Sequence, residues 1–126
     1  MTEQPDRPDV VLEPLVHVRD LAGSLALFEA VLGATVRAGS PDGDWVQLTI
    51  GGARIGLLAH PPNAEQDQGA VELAFTCAAG LQELERAAAD AGVDVASPVV
   101  DTGFGRQLIL RTPDGLLIKL NELGAP

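Results

Sequence analysis

The sequence predicts an α+β fold made of two copies of a strand-helix-three-strand (βαβββ) module, which together form a curved, partly open barrel. Two observations predict it: the same order of patterns occurs twice, and matching positions keep a constant spacing. Glu13 and Glu72 lie in strand-like segments, and the interval between them equals the interval between the glycines that end the helices, Gly33 and Gly92. Because curved sheets that face each other enclose space, we expect a pocket between the modules.

The first module, residues 12–59, begins with a strand over residues 12–18. Alternation along this strand places Glu13, Leu15 and His17 on one face. Asp20 and Ser24 are candidate first residues of the following helix, which ends at Gly33. Its buried stripe follows helical spacing and consists of Leu21, Leu25, Phe28 and Leu32. Val36 begins the next strand, and Trp45–Ile50 pairs with Arg54–Ala59 around the Gly51-Gly52 turn.

The second module, residues 71–122, repeats this plan after a polar linker over residues 60–70. A helix is predicted over 81–91, a loop over 98–105, and a closing hairpin over 107–111 and 116–121. The glycines of the two hairpins, Gly52 and Gly115, are slightly farther apart than the glycines that end the helices, because this half has the longer loop. Residues 1–11 and 123–126 are predicted to be flexible tails of a single domain.

Composition excludes several classes of function. The chain has 126 residues, which suits one domain with a core of its own, and it contains no apolar run long enough to cross a bilayer. A net charge of −10 argues against binding to nucleic acid or anionic membranes, because both require clustered Lys or Arg. The single cysteine, Cys77, cannot form an internal disulfide, and we expect a reducing, cytoplasmic location and a small core side chain.

Five segments in this order resemble the vicinal oxygen chelate superfamily, which includes glyoxalases, bleomycin-resistance proteins and extradiol dioxygenases. They are Val-Arg-Asp-Leu-Ala-Gly-Ser (18–24), Phe-Glu-Ala-Val-Leu-Gly (28–33), Val-Glu-Leu-Ala-Phe (71–75), Ala-Gly-Val-Asp-Val (91–95) and Pro-Asp-Gly-Leu-Leu-Ile-Lys-Leu-Asn-Glu (113–122). The resemblance covers residues 12–122. It implies paired modules, a homodimer, and a small organic molecule such as a metabolite or antibiotic in the pocket.

Metal-dependent members of that family carry four ligands, and the resemblance places these positions at Glu13, Gly56, Glu72 and Lys119. The repeat supports the mapping, because Glu13 and Glu72 have the spacing of the helix-ending glycines, and Gly56 and Lys119 have the spacing of the hairpin glycines. Gly56 has no side chain, and a protonated lysine repels a cation. His17 lies roughly 13 Å from Glu13 along an extended strand, too far to complete such a site. We therefore expect no metal cofactor.

Five further residues are candidate ligand contacts: His17, Trp45, Arg54, Phe104 and Lys119. Lys119 either supplies, between Glu13 and Glu72, the positive charge that a metal supplies elsewhere, or reaches solvent at a pocket mouth. His17 is either a structural hydrogen-bonding group or a ligand contact, and Arg54 either faces inward or lies on the surface. Phe104 lies in the glycine-flanked loop, and it shares with Trp45 the role of pocket aromatic.

Three functions stay open at this point. The first is a metal-free small-molecule-binding protein of the glyoxalase/bleomycin-resistance type, acting in antibiotic resistance or metabolite binding. The second is a metal-independent isomerase, epimerase or lyase in which Glu13 or Glu72 is the general base. The third is a metal-dependent lyase or dioxygenase. No phosphate-binding loop, dinucleotide fingerprint or Ser-His-Asp arrangement is present in the sequence.

Overall fold

The structure of the chain, a computed structural model, describes residues 10–61, 70–103 and 105–123. These residues form two five-stranded sheets and two helices. The elements in chain order are β1 (Val10–Leu12), β2 (Leu15–His17), α1 (Leu21–Leu32), β3 (Thr35–Ser40), β4 (Trp45–Ile50), β5 (Ala53–Leu58), β6 (Val71–Glu72), β7 (Ala74–Cys77), α2 (Leu81–Asp90), β8 (Asp94–Thr102), β9 (Gly105–Arg111) and β10 (Leu117–Leu123).

The described residues divide into two compact units. Those between 12 and 73 form the first unit, and those before 12 and after 73 form the second unit. The first sheet has the strand order β3-β4-β5-β2-β6, and the second has the order β1-β7-β10-β9-β8. In both sheets the strand before the helix pairs in parallel with the last strand of the module. The predicted α+β class and the repeated strand-helix-three-strand order are confirmed.

The register of these parallel pairs reproduces both spacings of the repeat. Leu15 lies opposite Gly56 in the first sheet, and Ala74 lies opposite Lys119 in the second. Leu15 and Ala74 have the same separation along the chain as the helix-ending glycines, whereas Gly56 and Lys119 have the longer separation of the hairpin glycines. Gly56 and Lys119 therefore occupy equivalent positions in the two sheets, as the sequence mapping predicts.

Helix α1 begins and ends where its sequence predicts. The Asp20 side chain accepts a hydrogen bond of 3.0 Å from the Gly23 backbone N–H, which satisfies a free donor of the first turn. Gly33 ends the helix with φ of 69°, a left-handed conformation that glycine adopts without steric cost. Leu21 and Leu25 are buried, whereas Leu32 is exposed, which corrects its predicted place in the buried stripe. Ala34, just after the helix, joins the core instead.

One apolar cluster lies in each unit. In the first unit, α1 packs on one face of the sheet, and the buried cluster is Leu21, Leu25, Ala34, Val46, Leu48 and Leu57. In the second unit the buried cluster is Cys77, Leu81, Leu108 and Leu120. Burial, and secondarily the nearby Glu122 carboxylate, raises the pKa of the Cys77 thiol. A thiol that is buried and held protonated is a poor nucleophile, and Cys77 accordingly belongs to the core.

Several boundaries differ from the prediction, and β10 continues to Leu123 inside the predicted C-terminal tail. Strand β1 begins at Val10, inside the segment predicted as a tail, and β6 (Val71–Glu72) lies in the sheet of the first unit. Strand β8 continues to Thr102 through most of the predicted loop over 98–105. It accommodates Pro98 because β8 is an edge strand with register shifts on both sides of Ser97. None of the described helices is both long and apolar enough to span a membrane.

Candidate functional site

The sheet of the first unit has one apolar and one polar face. Val46, Leu48 and Leu57 face the helix, so the alternating residues of the same strands point the other way. The register places Gln47 and Leu15 opposite Gly56, and Glu72 opposite Leu15. We name this second side the polar face, and its members with hydrogen-bonding side chains are Glu13, His17, Trp45, Gln47, Arg54 and Glu72.

Glu13 and Gln47 form a buried hydrogen-bonded pair on the polar face. The Gln47 side-chain Nε2 donates to Glu13 Oε1 across 2.5 Å, and the two residues are only 3% and 5% exposed. Burial raises the pKa of Glu13, and the Gln47 hydrogen bond and the charges of Arg54 and Arg37 oppose that rise without cancelling it. Glu13 is therefore a carboxyl group whose charged form is less stable than usual.

The other oxygen of Glu13 lies next to Gly56. A β-carbon added to Gly56 would lie 4.0 Å from Glu13 Oε2, 3.6 Å from Trp45 Nε1 and only 2.7 Å from a methyl group of Leu15. The Leu15 methyl group therefore fills the space that a side chain at position 56 would take. One polar atom of Glu13 and one of Trp45 lie beside that space. The sequence-predicted residues Glu13 and Trp45 are brought together at this point.

His17 and Glu72 form a second buried pair. His17 Nε2 lies 2.6 Å from Glu72 Oε2, and the two side chains are 2% and 6% exposed. The other ring nitrogen, Nδ1, lies 3.0 Å from the backbone oxygen of His60. A carbonyl only accepts, so Nδ1 carries a proton, and the short contact to Glu72 needs a further proton on one partner. Both nitrogens are thus engaged, and His17 positions the Glu72 carboxyl group.

The remaining predicted contacts are distributed over the structure as follows. Arg54 is half-buried on β5, two residues before Gly56 on the same face, and its charge acts on Glu13. Lys119 is buried in the second unit, on β10 opposite Ala74 and Ile109. Phe104 lies outside the described residues. The placement of Lys119 between Glu13 and Glu72 stays a prediction.

The four positions of the metal ligands do not fit a divalent ion. One oxygen of Glu13 accepts from Gln47, and one oxygen of Glu72 contacts His17. Gly56 supplies no donor and has Leu15 in the place of its side chain, and Lys119 supplies an ammonium group. In the part of the chain that the structure describes, no three His, Cys, Asp or Glu side chains are grouped to hold a metal ion. The side chains at these four positions are therefore suited to hydrogen bonding and not to coordination of a divalent ion.

Sequence reasoning missed Gln47. It is the hydrogen-bond donor to Glu13, yet it comes from a hairpin strand in which the sequence predicts Trp45 alone as a candidate contact. A signal was present, because Gln47 is a polar residue in the middle of the run Trp-Val-Gln-Leu-Thr-Ile. Buried polar side chains require partners, so this glutamine predicts a polar partner on the same face of the sheet.

Comparison with known proteins supports the architecture. The family model for the glyoxalase/bleomycin resistance protein/dioxygenase superfamily matches residues 10–120. No curated protein matches the sequence significantly.

Solved structures with the same fold share little sequence with the chain. A protein from Legionella pneumophila described as an NAD-dependent benzaldehyde dehydrogenase is 22% identical, with a TM-score of 0.71 over 90% of this chain and 99% of its own. A glyoxalase/bleomycin resistance protein/dioxygenase superfamily member from Vibrio splendidus 12B01 is 23% identical, with a TM-score of 0.56 over 94% and 100%. Methylmalonyl-CoA epimerase from Mycobacterium tuberculosis is 18% identical, with a TM-score of 0.59 over 90% and 86%. At these identities the likeness shows the fold alone.

Proposed function

Because the chain belongs to the glyoxalase/bleomycin resistance protein/dioxygenase superfamily, we propose that it binds an organic small molecule, a metabolite or an antibiotic, without a metal ion. The binding surface is the polar face of the first unit. One observation carries this proposal: Glu13 is buried, and among the described residues it accepts a hydrogen bond on one carboxyl oxygen only. Its second oxygen retains some contact with solvent, and a ligand group that replaces water there gains a hydrogen bond to a carboxyl group that is already held in place.

The rest of the polar face suits a small organic ligand. Ligand sites combine apolar and aromatic surface with a few fixed polar groups, and here Leu15 and Trp45 supply the former. The fixed polar groups are Glu13, held by Gln47, and Glu72, held by His17. Both carboxyl groups are held in place by a second side chain, so little conformational entropy is lost when a ligand binds.

A second candidate function is proton transfer, with Glu13 as general acid or base. The observation in its favour is the raised pKa of Glu13, because a carboxyl group acts best when its pKa approaches the working pH. An epimerase is among the proteins that share the fold. In this reading Glu13 takes a proton from a carbon next to a carbonyl group of the ligand, and Glu72 is the alternative base.

Binding and proton transfer are separated by one experiment on the full chain. Trp45 is the only tryptophan, so a ¹H–¹⁵N spectrum contains one indole N–H resonance, which reports on the polar face. A library of uncharged organic fragments is added in the presence of EDTA, and we expect some members to shift this resonance saturably. If none does, or if shifts need added divalent ions, the binding proposal is wrong.

Fragments that bind and carry an acidic C–H next to a carbonyl group are then incubated in D₂O. For the binding function alone, wild type incorporates no deuterium, and Glu13→Gln and Glu72→Gln keep measurable affinity for part of the library. For proton transfer, wild type incorporates deuterium and Glu13→Gln lowers the rate at least about 100-fold, in line with the usual contribution of a general base. The Glu29→Gln variant, on the exposed side of α1, is the matched control and should behave as wild type.

A further inference from the structure

The polar face contains two polar atoms that no described residue satisfies. Glu13 Oε2 takes part in no hydrogen bond with the described residues, since the only bond to this side chain runs from Gln47 to Oε1. The indole N–H of Trp45 likewise donates to no described residue. Yet every fully enclosed side-chain nitrogen or oxygen in the described part of the chain has a partner. Both atoms therefore retain some access to solvent, although Glu13 as a residue is only 3% exposed.

These two atoms lie beside the same point. Both are within 4.0 Å of the place where a β-carbon of Gly56 would stand, and the Leu15 methyl group lies closer still. Trp45 Nε1 can only donate, whereas an ionised Glu13 Oε2 can only accept. A ligand group that fits both atoms must therefore accept from one and donate to the other, while its carbon substituent contacts an apolar methyl group.

From this geometry we infer that Glu13 Oε2 and Trp45 Nε1 form a two-point site for one hydroxyl group of an organic ligand, with the attached hydrocarbon against Leu15. The hydroxyl hydrogen is donated to Glu13, and the hydroxyl oxygen accepts from the indole of Trp45. The inference rests on the proposed binding function and narrows its ligand class to alcohols, enols or phenols.

The position of Gln47 strengthens the assignment. Its Nε2 donates to Glu13 Oε1, so that oxygen and the carboxyl plane are fixed. Oε2 is then the carboxyl oxygen to which no described residue donates, and it is the one that a ligand meets. Burial raises the pKa of Glu13, and the charge of Arg54, two residues before Gly56, opposes that rise in favour of the ionised carboxylate that accepts from a hydroxyl group.

The test uses three uncharged probes of similar size on the full chain: cyclohexanol, which donates and accepts, and methoxycyclohexane and cyclohexanone, which only accept. Affinities are read from the indole resonance of Trp45 at neutral pH. We expect cyclohexanol to bind about tenfold more tightly than either of the others, the effect of one hydrogen bond to a charged group. Equal affinity of all three probes would overturn the inference, although it would leave the proposed binding function standing.

Two variants give different signatures. Glu13→Gln keeps the shape and the Gln47 contact but replaces the accepting oxygen by an NH₂ group, so the preference for cyclohexanol should fall to less than about twofold. Trp45→Phe keeps an aromatic ring without the N–H, and it should weaken all three probes by a similar factor, read from the backbone amide of Gly56. Glu29→Gln should keep the wild-type preference. A preference for cyclohexanol that survives Glu13→Gln would contradict the assignment of Glu13.

Discussion

Replacing His17 by alanine lowers the free energy of unfolding by about 3 kcal/mol, the upper end of the cost of leaving one partner of a buried hydrogen bond unsatisfied. The imidazole lies 2.6 Å from Glu72 Oε2, and both side chains are nearly inaccessible to water. In the variant the Glu72 carboxyl group keeps its buried position and loses the imidazole, so its desolvation is compensated less well. Urea unfolding followed by circular dichroism measures the change.

His60 provides a matched control, since it is the only other histidine in the chain. Its ring makes an edge contact with His17 at 4.9 Å between centroids, while the hydrogen bond to His17 uses its backbone oxygen. His60→Ala keeps that oxygen, and we expect it to cost less than about 1 kcal/mol, the scale of one ring contact. Equal losses for the two alanine variants would mean that the His17–Glu72 pair contributes nothing of its own.

Replacing Gln47 by leucine removes the hydrogen-bond donor to Glu13, and we expect a loss of about 2 kcal/mol near neutral pH. The loss depends on pH. The folded-state pKa of Glu13 lies above its ordinary value of 4.5, so its contribution to stability is fully present below that value and is lost as the pH rises through the folded pKa. Without Gln47 that pKa rises further, and the cost of the substitution therefore grows with pH.

Unfolding of wild type and Gln47→Leu is compared at about pH 4 and about pH 7, where Glu13 of the unfolded chain is mainly neutral and fully ionised, respectively. Gln107→Leu in the second unit is the control. Gln107 donates to the neutral Asn121 side chain across 3.0 Å. Gln107→Leu should therefore lower the free energy of unfolding by about 1 kcal/mol, and this decrease should not change with pH. If the free energy lost in Gln47→Leu is the same at both pH values, the Gln47 hydrogen bond does not favour the ionised form of Glu13, and the account of its raised pKa is wrong.

The sequence predicts the fold well because local patterns and the repeat agree. The helix start at Asp20, the stop at Gly33 and the Gly51-Gly52 hairpin each follow from backbone preferences of a few residues. The two spacings in the repeat also predict the equivalence of Gly56 and Lys119, which the strand register confirms. These features depend on short-range rules or on counting along the chain.

The partners within the site depend on long-range pairing, which no short pattern contains. Glu13 meets Gln47 because β5 lies between β2 and β4, and His17 meets Glu72 because β6 pairs with β2. Alternation predicts which side a residue faces, but the register of distant strands decides which side chains touch. His17 and Glu72 could therefore be identified as candidates separately, whereas their contact could not.

We propose that this polar face works by hydrogen bonding and does not hold a metal ion. The most direct test is thermal unfolding of the chelator-treated, tag-free protein with stoichiometric and tenfold Mn²⁺, Fe²⁺, Ni²⁺, Zn²⁺ or Mg²⁺, with bound metal measured after dialysis. We expect no shift in Tm beyond that of a Glu13→Gln/Glu72→Gln double variant, and no retained metal. A saturable rise in Tm with one retained ion per chain, absent from the double variant, would contradict the claim and place metal-dependent lyase or dioxygenase chemistry first.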